Sequence, residues 1–463
     1  HDGKLHFANI ELLQFFHDNN TPIPSNLPSP LEIVYLPLIK QKIEAMRGYF
    51  TTAAQETNYP ASFHYAYASK ANAAEEVIRT TLGAGAHHEM SSTSDVDIAQ
   101  LMIQRGLLPP DRMIISNGFK PANTAYAHKL HQLNQIHPNL IPVIESVDEL
   151  SSFIASDQKF RLGLRQKSYG HNTTLDAMNA ANSRFGLDLD GLLKANQYIS
   201  AAPNLELIML HGMVGSQILD PQEFVDRLTP SLETFAHLRR LAPSLHIFNF
   251  GGGMPVPMTL NFDFDYVDFF RRLLTTAQKI CDRYDVPPPD IMGEFGRYTT
   301  TEHGAHIFKI ITVKDNGSAK PWYIIDGSIM SSFPDSWALS EHFIVLPLNH
   351  LDQPFHQVQL GGITCDSDDV YPPKPSQSPL YLPTTTDDLY IGFFHIGAYQ
   401  EMLGGVRGSK HCVLPEANEI ILDHDDNGQL TFELIPGQTP EDVLYNLGYL
   451  DSPTSQPFAH RNV

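Results

Sequence analysis

One amine, two carboxylates, two guanidiniums and a run of three glycines stand where short β-rich runs end in this chain. They are Lys70, Glu89, Arg165, Gly251-Gly252-Gly253, Glu294 and Arg297, with the stretch His211 to Ser216 among them. An amine can hold an aldehyde as a Schiff base, and glycines let backbone N–H groups approach a phosphate without Cβ obstruction. The set therefore suits a phosphorylated cofactor bound through a lysine. Each member has an ordinary alternative. Lys70, in Tyr67-Ala68-Ser69-Lys70-Ala71-Asn72, could be a solvated strand cap; the triplet could be a tight turn; Glu294-Phe295-Gly296-Arg297 could be a surface ion pair. Order and spacing, not any single residue, carry the inference.

The elements that must position these groups alternate. Strand patterns fall at 63–68, 86–91, 113–117, 140–145, 160–166, 205–211, 245–250 and 290–294. Helical periodicity lies between them. Ile98, Leu101, Met102 and Arg105 are expected to form one face, with Gly106 as the stop, and Phe224, Leu228, Leu232, Phe235 and Leu238 repeat at helical spacing, as do Phe270, Leu273, Leu274 and Ala277. About eight strand–helix pairs over some 240 residues predict a (β/α)8 barrel of the TIM type, with reactive groups at the C-terminal strand ends. A doubly wound open sheet would alternate in the same way, so periodicity leaves both open. After Gly296 the pattern changes to strands without long helices (306–313, 322–325, 343–346, 358–360, 390–394 and 419–421), which predicts an all-β second domain, sandwich- or barrel-like. A helix is expected from Leu38 to Tyr49, after an irregular opening rich in Asn, Pro and Ser, and a Pro-, Ser- and Thr-rich exposed loop from Tyr371 to Asp388. The domains read as 1–40, a segment contributing to the β domain, 41–300, the barrel, and 301–463, the β domain.

Composition bounds the function classes. The chain has 463 residues, 42% hydrophobic and 18% charged, as a folded globular protein does. A formal charge of −21 disfavours phosphate-backbone binding and polybasic membrane attachment, and no apolar run approaches a membrane span. Cys281, Cys365 and Cys412 cannot form a disulfide framework, and the odd count fits a reducing compartment. With no basic stretch leading into an apolar one near the start, a cytoplasmic location is expected. The 22 histidines include the adjacent His87-His88, but no spacing that would hold a metal.

Longer stretches carry a resemblance. They are Ser116-Asn117-Gly118-Phe119-Lys120, Asn182-Ser183-Arg184-Phe185-Gly186-Leu187, Phe333-Pro334-Asp335-Ser336-Trp337, Ile363-Thr364-Cys365-Asp366-Ser367-Asp368 and the run from Ile391 to Glu401 that ends Gly397-Ala398-Tyr399-Gln400-Glu401. From about Pro30 to Tyr449 the sequence resembles the fold-type III pyridoxal-phosphate decarboxylases of ornithine, diaminopimelate and arginine. Within them it is most similar to the biosynthetic arginine decarboxylases. The resemblance implies that Lys70 holds the cofactor aldehyde and Glu294 pairs with the pyridinium nitrogen. It implies that Gly251, Gly252, Gly253, Arg297, Ser216 and Tyr399 hold the phosphate. Glu89 matches an acid near the cofactor, and Arg165 an arginine that orients that acid. Cys365 and Asp366 match a pair supplied by the partner protomer, the cysteine returning a proton to Cα after carbon dioxide leaves. Asp335 matches the acid that binds the substrate's distal cation.

The same resemblance implies a head-to-tail homodimer, or a higher homo-oligomer, with shared sites, and leaves a magnesium requirement open. Two departures stand out. Where the family has a ring-stacking histidine, this chain has Met213, and His211 lies two residues earlier, expected about 6–7 Å further back along the strand. The chain also lacks additional helical segments of the arginine decarboxylases, and Met402 to Glu416 departs from the usual continuation. The implied activity is decarboxylation of L-arginine to agmatine for polyamine biosynthesis. The alternatives are a diverged decarboxylase of another cationic or modified amino acid and a catalytically silent regulatory paralogue.

Overall fold

The computed structural model describes residues 3–7, 10–17, 24–167, 183–315, 317, 320–373, 379–406, 408 and 410–451. Asn182 of the motif Asn182 to Leu187, the Asn19-Asn20-Thr21-Pro22 run and residues 374–378 of the Pro-rich loop lie outside the described residues. Two units emerge. One comprises Ile39–Val256 and Asp263–Thr299; the other comprises His1–Leu38, Pro257–Phe262 and Thr300–Val463.

The first unit is a closed barrel of eight parallel strands: β1 (Phe63–Ala68), β2 (His87–Met90), β3 (Ile114–Ser116), β4 (Leu140–Ile144), β5 (Phe160–Arg165), β6 (Leu205–His211), β7 (Ile247–Asn249) and β8 (Asp290–Glu294). Each lies within a residue or two of its sequence expectation. The pairing of β8 with β1, from Ile291 opposite Phe63 to Glu294 opposite Ala66, closes the ring and excludes the open sheet. Ala66, Ile115, Ile141, Val143, Met209, Ile247 and Met292 belong to one buried cluster contributed by strands around the ring. Because all eight strands run the same way, their C-terminal ends share one rim.

The surrounding helices begin on side-chain caps. Ser92, Thr124, Asp188, Asp220 and Asp265 each accept from a backbone N–H three residues on. The cap at Ser92 sets the phase of the helix Thr93–Gln104. Asp95, Val96, Ala99 and Met102 turn inward, while Leu101 is 47% exposed, so of the expected face through Ile98, Leu101, Met102 and Arg105 only Met102 is buried. Gly106, at φ 73°, ends that helix as anticipated. The first helix runs Pro37–Thr57, longer than expected.

The second unit is a mixed sheet with short helices, more than the all-β pattern anticipated. Its order runs Val370–Tyr371, Phe355–Gly361, Trp322–Ile325, Gly304–Lys314, Leu31–Tyr35, Asn418–His424, Leu430–Ile435. Leu31–Tyr35 is antiparallel to Gly304–Lys314 and parallel to Asn418–His424. Alternation along Gly304–Lys314 serves two cores, with Ala305 and Ile307 in one cluster and Phe308 and Ile310 in the other. Several strands escaped the pattern reading, among them the two-residue pieces His6–Phe7, Ile10–Glu11 and Val370–Tyr371. Leu31–Tyr35 follows the irregular opening, Leu380–Pro383 hides in a proline-rich stretch, and Leu430–Ile435 is a largely exposed edge with little alternation. No helix among the described residues is long and apolar enough to cross a membrane.

Candidate active site

Lys70 follows β1 in the short turn Ser69–Ala71, with its side chain exposed at the rim. Its charge reaches both acids of the rim and favours the ionised form of each. Those acids, Glu89 at the end of β2 and Glu294 at the end of β8, are both buried. A single amide joins them: Asn117 Nδ2 donates to Glu89 Oε1 at 2.7 Å and to Glu294 Oε2 at 3.0 Å. Asn249 Nδ2 donates to the other Glu294 oxygen at 2.7 Å, and His211 Nε2 lies 3.4 Å from Glu294 Oε2.

Two buried carboxylates sharing one donor cannot ionise equally. Burial, then the charge of Glu294, pushes Glu89 well above the usual carboxylate range. Burial also opposes ionisation of Glu294, yet the His211 charge and hydrogen bond, with the Asn249 amide and Lys70, more than reverse it and hold Glu294 below that range. The pair thus carries its proton on Glu89 and its negative charge on Glu294. A fixed buried anion facing a cavity rim is what a protonated ring nitrogen needs as partner.

His211 is nearer than the strand spacing suggested. A Cβ built on Gly251 would meet Met213 Sδ at 2.9 Å and His211 Nε2 at 3.2 Å, so thioether and imidazole converge over the first glycine. The triplet itself is packed too tightly for side chains. Gly251 has φ 72° and Gly253 φ 90°, and a Cβ on Gly253 would fall 2.0 Å from the Gly215 carbonyl. The backbones of 215–216 and 251–253 therefore lie against one another, tied by Gln217 N–H donating to Gly253 O at 3.0 Å. Ser216 is exposed on this loop, and Arg297 opens the short helix Arg297–Thr300. Backbone too close for any Cβ, a hydroxyl and a guanidinium fit a phosphate group.

Arg165 is turned elsewhere. It donates to Glu145 Oε1 at 3.0 Å and stacks on Phe185 with its guanidinium 4.5 Å from the ring centre, whereas Glu89 is held by Asn117. The reason is strand order: Arg165 ends β5 and Glu145 follows the neighbouring β4, while Glu89 ends β2. The expected contact of Arg165 with Glu89 is thus replaced. Asn117 and Asn249 were overlooked in the sequence as working residues. The available signal was that Asn249 ends β7 two residues before the glycine run and Asn117 directly follows β3.

The remaining candidates belong to the second unit. Asp335 is 3% exposed in the helix Pro334–Leu339, and it exchanges hydrogen bonds with Gln400, whose Nε2 donates to Oδ2 at 2.9 Å while Asp335 N–H donates back to Oε1 at 3.2 Å. Tyr399, at φ 70°, immediately precedes that glutamine. Cys365 and Asp366 sit on the loop between Phe355–Gly361 and Val370–Tyr371, and Cys365 is exposed. Buried Asp369 organises this loop. Its Oδ1 accepts from Ser328 Oγ at 3.0 Å and Met330 N–H at 3.1 Å, and its Oδ2 accepts from Thr364 N–H at 3.1 Å and Thr364 Oγ at 2.6 Å. Sequence reading passed over Asp369 because nothing in its local pattern marks a buried anchor.

The second unit also holds a cavity of about 270 Å³, walled by Glu32, His306, Asp326, Lys410 and Glu416 among others, and none of the candidate residues lines it. We assign the chemistry to the barrel rim despite that cavity, because the paired acids, amine and glycines lie at the rim. Among the described residues, no group of three or more His, Cys, Asp or Glu side chains could hold a metal ion.

Comparison with known proteins gives a consistent family. Residues 46–301 match the family model described as pyridoxal-dependent decarboxylase, pyridoxal binding domain. An arginine decarboxylase of Glycine max is 22% identical over 90% of this chain and 74% of its own length. The biosynthetic arginine decarboxylase of Deinococcus radiodurans is 21% identical over 91% and 80%. Among solved structures, the biosynthetic arginine decarboxylase of Campylobacter jejuni superposes with a TM-score of 0.78 at 21% identity, covering 91% of this chain and 85% of that one. Diaminopimelate decarboxylase of M. jannaschii, in complex with L-lysine, superposes with a TM-score of 0.79 at 18% identity, over 96% and 95%. These structural likenesses establish the barrel-plus-β fold.

Proposed function

This chain belongs to the pyridoxal-dependent decarboxylase family, and on that premise we propose that it converts L-arginine to agmatine. The observation that carries the reading is the divided acid pair at the rim, in which Glu294 is held anionic by His211, Asn117 and Asn249 beside Lys70 and a glycine cradle. Arginine is favoured as substrate by relatives called arginine decarboxylase that align along about nine-tenths of this chain.

What pyridoxal phosphate supplies when bound is an electron sink that weakens the bond from Cα to the carboxylate. The protein's own residues do the rest. Lys70 carries the covalent link to the cofactor. Gly251, Gly252, Gly253, Ser216 and Arg297 would hold its phosphate. Glu294, the anionic member of the acid pair, would keep a proton on the ring nitrogen, and Glu89 is the member that retains its own proton. Met213, over Gly251, would offer the ring a polarizable thioether, which contacts an aromatic edge favourably. Asp335 and Asp366 take the guanidinium, for which a carboxylate offers two parallel acceptors. Cys365 delivers a proton to Cα after carbon dioxide leaves. Two copies of the chain share their sites, Cys365 and Asp335 reaching Lys70 from opposite protomers. Polyamine biosynthesis is the accompanying pathway, and the odd number of free cysteines fits a reducing, cytoplasmic setting for it.

Purified protein incubated with the cofactor should gain the visible absorbance of a lysine-linked pyridoxal and release carbon dioxide from arginine, with agmatine identified by mass spectrometry. A Lys70→Ala variant that keeps both properties ends the proposal, and a screen in which another amino acid far outpaces arginine ends the substrate assignment. Failure to regain activity on mixing Lys70→Ala with Cys365→Ala protein would refute shared sites.

A further inference from the structure

The loop that carries Cys365 touches a second cysteine. His411 Nε2 lies 3.1 Å from Asp366 Oδ2, so the short turn His411–Val413 is seated against the loop anchored by Asp369. The next residue in that turn, Cys412, lies close enough to Cys365 and Thr364 for its thiol to interact with both. Both cysteines are exposed, whereas Cys281 is buried in the barrel unit, where burial pushes its thiol up to about 11. Two accessible sulfurs from segments distant in sequence are thus neighbours, and a third serves as an inert internal reference.

We propose that Cys365 and Cys412 form a modification site, a reversible disulfide closed by a two-electron oxidant of the hydrogen peroxide class. One sulfur attacks peroxide, taking an oxygen as sulfenic acid and releasing the first water. The second sulfur displaces that oxygen as the second water. Two S–H bonds and the O–O bond break, and one S–S bond and two O–H bonds form. The thiols lose two electrons, and peroxide gains them. Disulfide geometry requires sulfurs about 2.05 Å apart on side chains that point towards each other, and the His411–Asp366 contact already holds the two cysteine-bearing segments side by side. Both lie on exposed, irregular segments outside the sheet ladders, so closing the bond moves surface backbone and leaves the core intact. A thiol or dithiol reductant reopens it by exchange.

The effect on turnover, though not the disulfide itself, rests on the reading of Cys365 as the proton donor, because the oxidised sulfur has no proton to give. Cofactor-loaded full-length protein is treated with hydrogen peroxide, its thiols are counted, and non-reduced peptides are mapped by mass spectrometry. Oxidised wild type should lose two of its three thiols, yield a Cys365–Cys412 linked peptide, and fall in activity by about a hundredfold, the size of a typical lost general acid, with dithiothreitol restoring both. Reduced Cys412→Ser should match wild type in activity and melting temperature, and should give no linked peptide on oxidation. Cys412→Ala provides the same test should the serine variant misfold. Thiol loss without that linked peptide overturns the disulfide. A linked peptide with undiminished turnover leaves the modification site standing and overturns Cys365 as proton donor.

Discussion

Replacing His211 by glutamine tests the electrostatic logic of the rim. At 3.4 Å from Glu294, a unit positive charge would contribute about 5 kcal/mol at an effective dielectric of about 20. Breaking one partner out of a buried charged pair costs about 3–5 kcal/mol in practice. Two amide donors, Asn117 and Asn249, remain and blunt the loss, so about 3 kcal/mol is expected at neutral pH. The pH dependence distinguishes this mechanism from simple loss of packing. In the wild type the folded carboxyl of Glu294 is held below its ordinary value, against the opposition of burial, by His211 and the amides. Its contribution is therefore fully present above the unfolded carboxylate value of about 4.3 and is lost as pH falls through the lower folded one. Without His211, burial dominates and the folded value rises above the unfolded one, so ionising Glu294 costs stability progressively as pH climbs. Urea unfolding of the apoprotein from about pH 4 to about pH 6, below the ordinary imidazole value of about 6.5, should give a wild-type-to-variant gap that widens with pH. A gap that is constant across this range, or below about 1 kcal/mol at neutrality, would refute the assignment of His211 as the group that keeps Glu294 anionic.

Gly253→Ala would bring a Cβ to 2.0 Å from the Gly215 carbonyl at a φ of 90°. Cofactor affinity should fall at least about tenfold, equivalent to about 1.4 kcal/mol, and unchanged affinity in a fluorescence titration would refute the phosphate cradle. Asp369→Ala strips the anchor from the loop carrying Cys365; kcat should drop and stability fall by about 2 kcal/mol while pyridoxal phosphate affinity holds, and an unaltered kcat would exclude a positioning role. Met213→His introduces a second imidazole over Gly251 beside His211. Turnover or product profile with arginine should change, and identical kinetics and products would remove any role for that position in the reaction.

Much of the rim was legible because it depends on local pattern. The ends of β1, β2, β7 and β8 follow from short apolar runs closed by polar or glycine residues, so Lys70, Glu89, the glycines and Glu294 could be named in advance. Partners across the barrel were not legible in the same way. Arg165 meets Glu145 because their strands are adjacent, and Asn117 reaches two acids because β2, β3 and β8 end at one rim. Asp369 resembles any loop aspartate until its four donors surround it.

The linear order of residues determined the alternation of strands and helices, the change of pattern after Gly296 and the kinds of reactive group available, since each depends on neighbours a few positions away. Tertiary structure alone decided that β8 pairs with β1, that one buried acid is charged while the other keeps its proton, and that Cys412 lies against Cys365. Ring closure and charge state depend on distances between residues far apart in the chain. No local spacing encodes those distances; the packing of the whole barrel and sheet sets them.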